Sequence, residues 1–457
     1  MSRKPTKLRN ELGSYLLGYF RLKVNTDKAD YSNLTQDEEC TLIHEYVHFL
    51  QNITTTYGLF LLGCVARTNH VLTWVKQNSQ DYAVVNEKNS VLRKNTDFLE
   101  QENQLSDLLY HTLGSDGSSS NESELNENTL FYKVEEIECG RFYNYEDEIF
   151  SPLVDNQKII VIYSHNFNKD LKIKVELGAI CLMETMAVII EKHIGNRSGS
   201  NNNPKSPYLI AKDVANFLLK TDVSDNIICI VCELALQSRT PGEEFYNILT
   251  IIESYFKDEI ISLSNDYCNL KDKLFKIANK YSYSITVGND YLSDLNKLEL
   301  KNYIISKVKE DFEFFFNGDL GLGFKLTELV EYIINNFNKD DNLLFISDLL
   351  NGNAGDKRKI IEVMKERGMP LLFTNTAFVG HFFPEENNEF DSQFFYLSVL
   401  NDYLNIIKGI GTSCEHYFAC KSFNNGCVND SCINNPRDKA NEKKLCPLGV
   451  YFKVFGT

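Results

Sequence analysis

The segment 34-LTQDEECTLIHEYVHFLQNI-53 constrains the fold most, because it predicts a helix together with the side chains that this helix must present. Thr35 and Glu38 match the pattern of a capping box, which places the helix start shortly before His44. Residues four apart lie on one face of a helix, so His44 and His48 project together. A chain that folds around this helix must therefore place two imidazoles side by side.

Two imidazoles one turn apart are suited to binding a single tetrahedral Zn²⁺ ion. Glu45 lies about 100° round the helix from His44, where it can take a proton from a metal-bound water. Gln51 falls near the face of the two histidines and is a candidate for a hydrogen bond to a ligand or substrate. The alternative is a surface helix that carries two exposed histidines.

A catalytic zinc site needs a third protein ligand, and no histidine follows the motif until His70. The segment 176-ELGAICLMETMAVIIEKHI-194 predicts an apolar helix with Glu184 in its middle. A buried carboxylate is costly unless a metal or a cation compensates it, so Glu184 is the candidate ligand. Glu191 lies two turns further on and suits an outer partner, whereas His193 points almost opposite to Glu184. The alternative is a Glu184 paired with Lys or Arg, or one that faces solvent.

The motif His44-Glu45-x-x-His48, followed downstream by Glu184-x-x-Ala187, resembles the gluzincin branch of the HExxH zinc metallopeptidases. The resemblance implies a zincin-like core, zinc ligands at His44, His48 and Glu184, and Glu45 as the general base. It also implies an edge strand that holds an extended peptide, with residues 14–24 as the candidate and 157–176 as a second one. The sequence departs from that branch in its long separation between motif and Glu184, and in Val188, where many relatives carry a carboxylate.

A donor that stabilises the oxyanion is also expected beside the metal. Tyr57, Arg239 and His381 are the candidates, and the sequence does not choose among them. Arg239 follows a predicted helix, and His381 lies in an apolar stretch where a histidine is more often a core residue.

Alternating runs predict an antiparallel meander, and a further strand precedes the motif helix. The runs are 129–138, 141–150, 157–165 and 170–176, with 14–24 as the earlier strand. Polar stretches at 114–128 and 195–207 predict linkers, and apolar periodicity predicts a mostly helical region from 208 to 408. The predicted class is α+β and helix-dominated, divided into a core at 1–207, a helical part at 208–408 and a Cys-rich element at 409–457.

The C-terminal stretch has few large aliphatic residues, so it needs a staple in order to fold. Its cysteines are Cys414, Cys420, Cys427, Cys432 and Cys446. Four thiolates around a structural Zn²⁺ are the favoured prediction for a reducing compartment. An iron–sulfur cluster is the alternative, because Pro447 follows Cys446. Disulfides or free thiols are the third option.

A net charge of −16 disfavours a nucleic-acid partner, because phosphate binding needs clustered Lys and Arg. No apolar segment of signal-peptide type follows the basic start, and the longest apolar runs are too short to span a bilayer. We therefore expect a cytoplasmic protein that does not bind membranes.

These observations predict a zinc-dependent peptidase of narrow specificity or regulated activity, with a protein or peptide substrate. One alternative is a di-iron carboxylate oxygenase, because Glu45-x-x-His48 is also a ligand pair of that class. Against it, neither Glu184 nor Glu191 is followed by a histidine at the required spacing. The other alternative is a non-catalytic interaction protein that zinc stabilises.

Overall fold

The computed structural model describes most of the chain, with gaps between the described ranges. They are 13–16, 20–28, 31–58, 61, 112–117, 119–127, 129–143, 155–195, 204–238, 240–281, 286–287, 290–291, 344–368, 370–374, 391–407, 413–417, 420 and 428–455. Within them, helices predominate and three small sheets are present, two of three strands and one of two, so the chain belongs to the α+β class.

The first sheet has three short strands, β1 (Gly13–Leu16), β2 (Arg21–Val24) and β8 (Leu371–Phe373). β1 pairs antiparallel with β2, and β2 pairs in parallel with β8. The single strand expected at 14–24 is therefore a hairpin. Its reversal ends at Phe20, whose φ of 52° is left-handed and interrupts an extended chain.

The second sheet is the predicted antiparallel meander, formed by β3 (Tyr132–Tyr143), β4 (Asp155–His165) and β5 (Lys172–Leu177). The prediction of separate strands at 129–138 and 141–150 is wrong for the described part. Gly140 continues the ladder opposite Lys158, so β3 runs without a break to Tyr143. Residues 144–150 lie outside the described residues.

Helices α1 (Gln36–Thr54) and α3 (Ala179–Gly195) pack along each other in opposite directions. The Gln36 side chain donates to the carbonyl of Gly195 (3.1 Å), and the Gln51 side chain donates to the carbonyl of Met183 (3.0 Å). The start of α1 therefore lies beside the end of α3. The capping box predicted at Thr35 and Glu38 is confirmed.

The segment expected to be a polar linker at 114–128 contains a helix, α2 (Ser120–Glu127). The Ser119 hydroxyl accepts from the Glu122 amide (3.2 Å), and the Glu122 carboxylate accepts from the Ser119 amide (3.1 Å). This second capping box lies inside a Ser-rich sequence whose composition indicated a linker. Glu122 is buried.

The remaining helices enclose the core beside α3. They are α4 (Ile210–Leu219), α5 (Asp225–Ala235), α6 (Pro241–Ile251), α7 (Lys257–Ser262), α8 (Tyr267–Tyr281), α9 (Lys357–Arg367), α10 (Asp391–Ile407), α11 (Ser431–Asn434) and α12 (Pro447–Phe455). Strands β6 (Thr286–Val287) and β7 (Asp290–Tyr291) form a minimal ladder. None of the described helices is both long enough and apolar enough to cross a lipid bilayer.

The Cys-rich tail completes its core by packing on α10. The ring of Tyr403 stacks on Tyr451 at 5.6 Å and meets Phe452 edge-on at 5.2 Å. Arg437 also donates to the carbonyl of Ile406, the penultimate residue of α10 (3.4 Å). The helix thus supplies the apolar surface that the tail lacks by itself.

A buried carboxylate on α5 holds the 3₁₀ helix Ser347–Leu350 in place. Both oxygens of Glu233 accept backbone amides, from Ile346 and Ser347, at 2.7 Å each. Burial raises the pKa of Glu233 to about 7, although these hydrogen bonds favour the ionised form. The native state therefore binds the Glu233 proton more tightly than the unfolded chain.

We expect this carboxyl to make the protein less stable as pH rises from about 4.5 to 7. In that window the unfolded chain loses the proton before the native state does, which costs about 3 kcal/mol at 1.36 kcal/mol per pKa unit. The measurement is the free energy of unfolding against pH for wild type, Glu233→Gln and the exposed control Glu362→Gln. Relative to Glu233→Gln, the wild type should lose stability across this window, and parallel curves would contradict the prediction.

Candidate metal centre

The antiparallel packing of α1 and α3 brings three nitrogen and oxygen donors to one point. His44 Nε2 lies 3.0 Å from Glu184 Oε2, His48 Nε2 lies 3.4 Å from the same oxygen, and the two Nε2 atoms are 3.2 Å apart. The ligand set predicted from the sequence is thus brought together in space, across the long separation between motif and Glu184.

These separations fit a single ion. Donors about 2.0–2.1 Å from one tetrahedral Zn²⁺ are about 3.3 Å from one another. The three observed distances, 3.0, 3.2 and 3.4 Å, lie around that value. The side chains of His44 and Glu184 are 12% and 21% exposed, and three protein donors leave the fourth position of a tetrahedral ion unfilled. The donors therefore suit a metal that keeps one open position.

Each imidazole is held in place through its second nitrogen. His44 Nδ1 lies 3.2 Å from Glu191 Oε2, and His48 Nδ1 lies 2.8 Å from Gln51 Oε1. Gln51 donates in turn to the carbonyl of Met183, which fixes the amide so that its oxygen faces His48. His48 Nδ1 therefore donates to Gln51, and Nε2 is the nitrogen that faces the other two donors. Glu191 and Gln51 thus contact the imidazole nitrogens that do not face Glu184.

The electrostatics of the cluster favour positive charge between the three donors. Burial opposes ionisation of all three side chains. The hydrogen bonds and charges of Glu184 and Glu191 nevertheless raise the pKa of His44 well above its ordinary value, and Glu184 raises the pKa of His48. The two imidazoles hold the pKa of Glu184 far below its ordinary range. A divalent cation would supply the same positive charge without the protons.

Glu45 lies on the neighbouring face of α1, under strand β1. A Cβ atom at Gly13 would stand 2.9 Å from Glu45 Cγ and 2.6 Å from Thr41 Cγ2, so the strand backbone touches the helix at this point. Further along the strand, the Tyr15 hydroxyl donates to Asn52 Oδ1 (3.1 Å). Strand β1 therefore runs along α1 directly over Glu45, which is buried.

The structure adds Tyr208 to the site, a residue that the sequence did not single out. Its ring centroid lies 6.1 Å from that of His44, and its carbonyl accepts from the Thr185 hydroxyl (3.0 Å) beside Glu184. Tyr208 follows a polar stretch and belongs to no motif or periodic pattern, so no sequence signal could have identified it.

Of the three donors proposed for the oxyanion, the structure describes Tyr57 alone. Tyr57 is fully buried, and its hydroxyl bonds to Thr112 Oγ1 (3.0 Å), so it belongs to the core. Arg239 and His381 lie outside the described residues.

A second compact donor group consists of Asp402, Cys414 and His416, all of them buried. Both ring nitrogens of His416 already have partners, Asp402 Oδ2 on Nδ1 and Ser398 Oγ on Nε2, each at 2.7 Å. The imidazole of His416 and the carboxylate of Asp402 are therefore already engaged in hydrogen bonds.

The predicted site of four thiolates is only partly covered by the structure. Cys414, Cys420, Cys432 and Cys446 form no disulfide, and Cys427 lies outside the described residues. Burial raises the pKa of the Cys414 thiol, with Asp402 and the nearby Cys420 as further causes. No three of the described thiols are mutually close enough to hold an ion. The thiolate site remains a prediction.

We expect Gln51→Leu to weaken zinc binding about 10- to 100-fold, because His48 loses the acceptor that fixes its tautomer. The measurement is a competition titration with a zinc chelator. Gln237→Leu is the matched control, because Gln237 is also buried and accepts hydrogen bonds from Thr56, away from the donors. Unchanged affinity in Gln51→Leu, or an equal loss in the control, would show that Gln51 does not orient the ligand.

No protein-family model matches this chain, and neither a curated protein nor a solved structure matches it. A function therefore has to be inferred from the chemistry of its own residues.

Proposed function

We propose that the chain is a zinc-dependent peptidase with a zincin-like core, in which His44, His48 and Glu184 hold the metal. The observation that carries the proposal is the triangle of two Nε2 atoms and one carboxylate oxygen with sides of 3.0–3.4 Å. Its sides match the ligand spacing around one zinc ion, and Glu45 stands on the same helix.

When bound, Zn²⁺ would acidify a coordinated water and polarise a carbonyl group. Glu45 follows His44 in the chain and would take the proton of that water and pass it to the leaving amine. Glu191 and Gln51 hold the two imidazoles so that their Nε2 lone pairs face Glu184. Tyr208, next to His44, stands beside the more exposed side of the site.

Strand β1 is the feature that favours a polypeptide as the substrate. Among the described residues it pairs with β2 alone, so its other edge is available for an added strand. Its backbone lies against the helix at Glu45, as the contact of Gly13 shows. An extended peptide that pairs with β1 would pass close to the proposed base and the metal. Residues 14–16 thus remain the proposed peptide-binding edge, whereas 157–176 form the central and edge strands of the other sheet.

The geometry favours one metal ion over a di-iron carboxylate site. In a di-iron site the Glu-x-x-His pair would bind through Glu45 and His48. Here the donor atoms that converge are those of His44, His48 and Glu184. The non-catalytic alternative, a zinc-stabilised interaction protein, is separated from a peptidase by the substitution described next.

We expect Glu45→Gln to lower the rate of peptide hydrolysis by at least about 10²-fold, because the amide cannot take a proton. Zinc content, measured by mass spectrometry of the purified protein, should stay near that of wild type. Asp37→Asn is the matched control, since it makes the same chemical change on an exposed turn of the same helix. Full activity in Glu45→Gln would remove Glu45 as the base, and an inactive wild type with zinc bound would favour the interaction protein.

We also propose a structural Zn²⁺ held by four of the tail thiols, Cys414, Cys420, Cys427, Cys432 and Cys446. None of the described tail cysteines forms a disulfide, and a four-thiolate site would require at least three of them to approach one another on metal binding, because no three lie within ligand distance here. The proposal expects one zinc per chain to persist in His44→Ala and to be lost with the tail cysteines. Iron with an optical absorption band would instead indicate an iron–sulfur cluster.

A further inference from the structure

A buried polar network outside the metal centre joins three distant parts of the chain. Asp402 on α10 accepts hydrogen bonds from Arg21 Nη1 (3.2 Å), the Glu415 amide (2.9 Å) and His416 Nδ1 (2.7 Å). His416 Nε2 lies 2.7 Å from the hydroxyl of Ser398, also on α10. Arg21 forms a second ion pair with the Glu415 carboxylate. The network thus links β2, α10 and the tail.

The order Ser398, His416 and Asp402 has the hydrogen-bond pattern of a nucleophilic triad, but the position of these residues excludes that role. Ser398 and His416 are each 0% exposed, so no substrate reaches the hydroxyl. Burying a carboxylate is expensive, and the arrangement persists only where the partners compensate it. Removing one partner therefore leaves a buried group uncompensated, which makes the geometry of the network strict.

The network anchors the β1–β2 hairpin, which lies next to helix α1. Arg21 is the first residue of β2, where it pairs with Leu16 of β1 on one side and Leu371 of β8 on the other. The preceding residue, Phe20, is fully buried and packs edge-on against Phe49 of α1 at 6.1 Å. Phe20 thus fixes the β1–β2 hairpin to α1, and Arg21 fixes it to Asp402.

The tail supplies the residues that contact Arg21 and Asp402 from the other side. The Cys414 amide donates to the carbonyl of Cys432 (2.8 Å), and the Cys420 amide donates to the carbonyl of His416 (2.9 Å). These backbone bonds hold the turn at 414–416, which presents Glu415 and His416 to Arg21 and Asp402. The position of the hairpin consequently depends on a segment almost 400 residues away in the sequence.

We propose that Arg21, Asp402 and His416 are positioning residues that hold strand β1 over Glu45, so that the tail controls how well the peptide-binding edge is formed. The peptide part of this inference rests on the proposed function, whereas the coupling between tail and strand does not. Loss of the ion pair should leave the three metal donors in place, because α1 and α3 hold them independently through Gln36 and Gln51.

The test is hydrogen exchange of the backbone amides in 13–24, measured by mass spectrometry on the full chain. Arg21→Met keeps the aliphatic stem and removes the cation, and Asp402→Asn removes the charge on the other side. Each should speed exchange in 13–24 by about tenfold or more, as expected for loss of a charged buried hydrogen bond, while zinc content stays that of wild type. Arg437→Met is the matched control, because Arg437 donates from the tail to the α10 backbone at Ile406 rather than to Asp402.

Unchanged exchange in 13–24 for a folded Arg21→Met protein, or an equal increase in Arg437→Met, would overturn the proposal. If Arg21→Met does not fold, Arg21→Lys provides the test. One ammonium replaces the two donors of the guanidinium, so exchange in 13–24 should rise by about threefold, and wild-type exchange would overturn the proposal.

Peptide kinetics separate this inference from the proposed function. For an extended peptide, Arg21→Met should raise KM about tenfold and leave kcat within about threefold, because the edge is disturbed and the base and donors are not. A fall in kcat with unchanged KM would overturn the positioning role. Faster exchange in the variants combined with an inactive wild type would support the coupling and contradict the peptidase.

Discussion

The antiparallel packing of α1 against α3 is the interaction on which the site depends. It brings a carboxylate from the middle of an apolar helix to two imidazoles on another helix. The same packing aligns Glu191 with His44 and the carbonyl of Met183 with Gln51. Donors and outer partners are therefore parts of one helix pair, and neither helix could shift along the other by a turn without losing all of these contacts.

Charge burial gives this pairing its specificity. A carboxylate that is removed from water costs free energy unless cations or hydrogen bonds compensate it. Glu184 and Glu191 both contact imidazole nitrogens, and a divalent ion would supply the remaining positive charge that the buried carboxylate of Glu184 requires. The network around Asp402 follows the same rule with Arg21 and His416. Each network therefore selects a single arrangement, because any other arrangement would leave a buried charge without a partner.

The sequence predicted the parts of the site that depend on local spacing. The capping box at Thr35, the shared face of His44 and His48, and the isolated charge of Glu184 follow from helix geometry and the cost of burial. The sequence predicted an antiparallel meander, but two of its expected strands form one strand that continues through Gly140. The helix at Ser120–Glu127 was missed, because composition indicated a linker and outweighed a capping pattern.

Contacts between distant segments could not be predicted. Nothing local indicates that Gly13 touches Glu45, that Tyr208 stands beside His44, or that Arg21 pairs with Asp402. Tyr57 looked available for catalysis only because its partner, Thr112, is far away in the sequence. These three contacts are set by the tertiary fold, and the periodicity of the sequence does not reveal them.

The proposed function requires one metal ion between His44, His48 and Glu184. The decisive measurement is a crystal structure of the zinc-loaded protein, with anomalous data collected on both sides of the zinc edge. We expect an anomalous peak about 2.0–2.2 Å from His44 Nε2, His48 Nε2 and a carboxylate oxygen of Glu184. Zinc-loaded crystals with no peak between these three atoms, or with peaks at the tail cysteines alone, would contradict it.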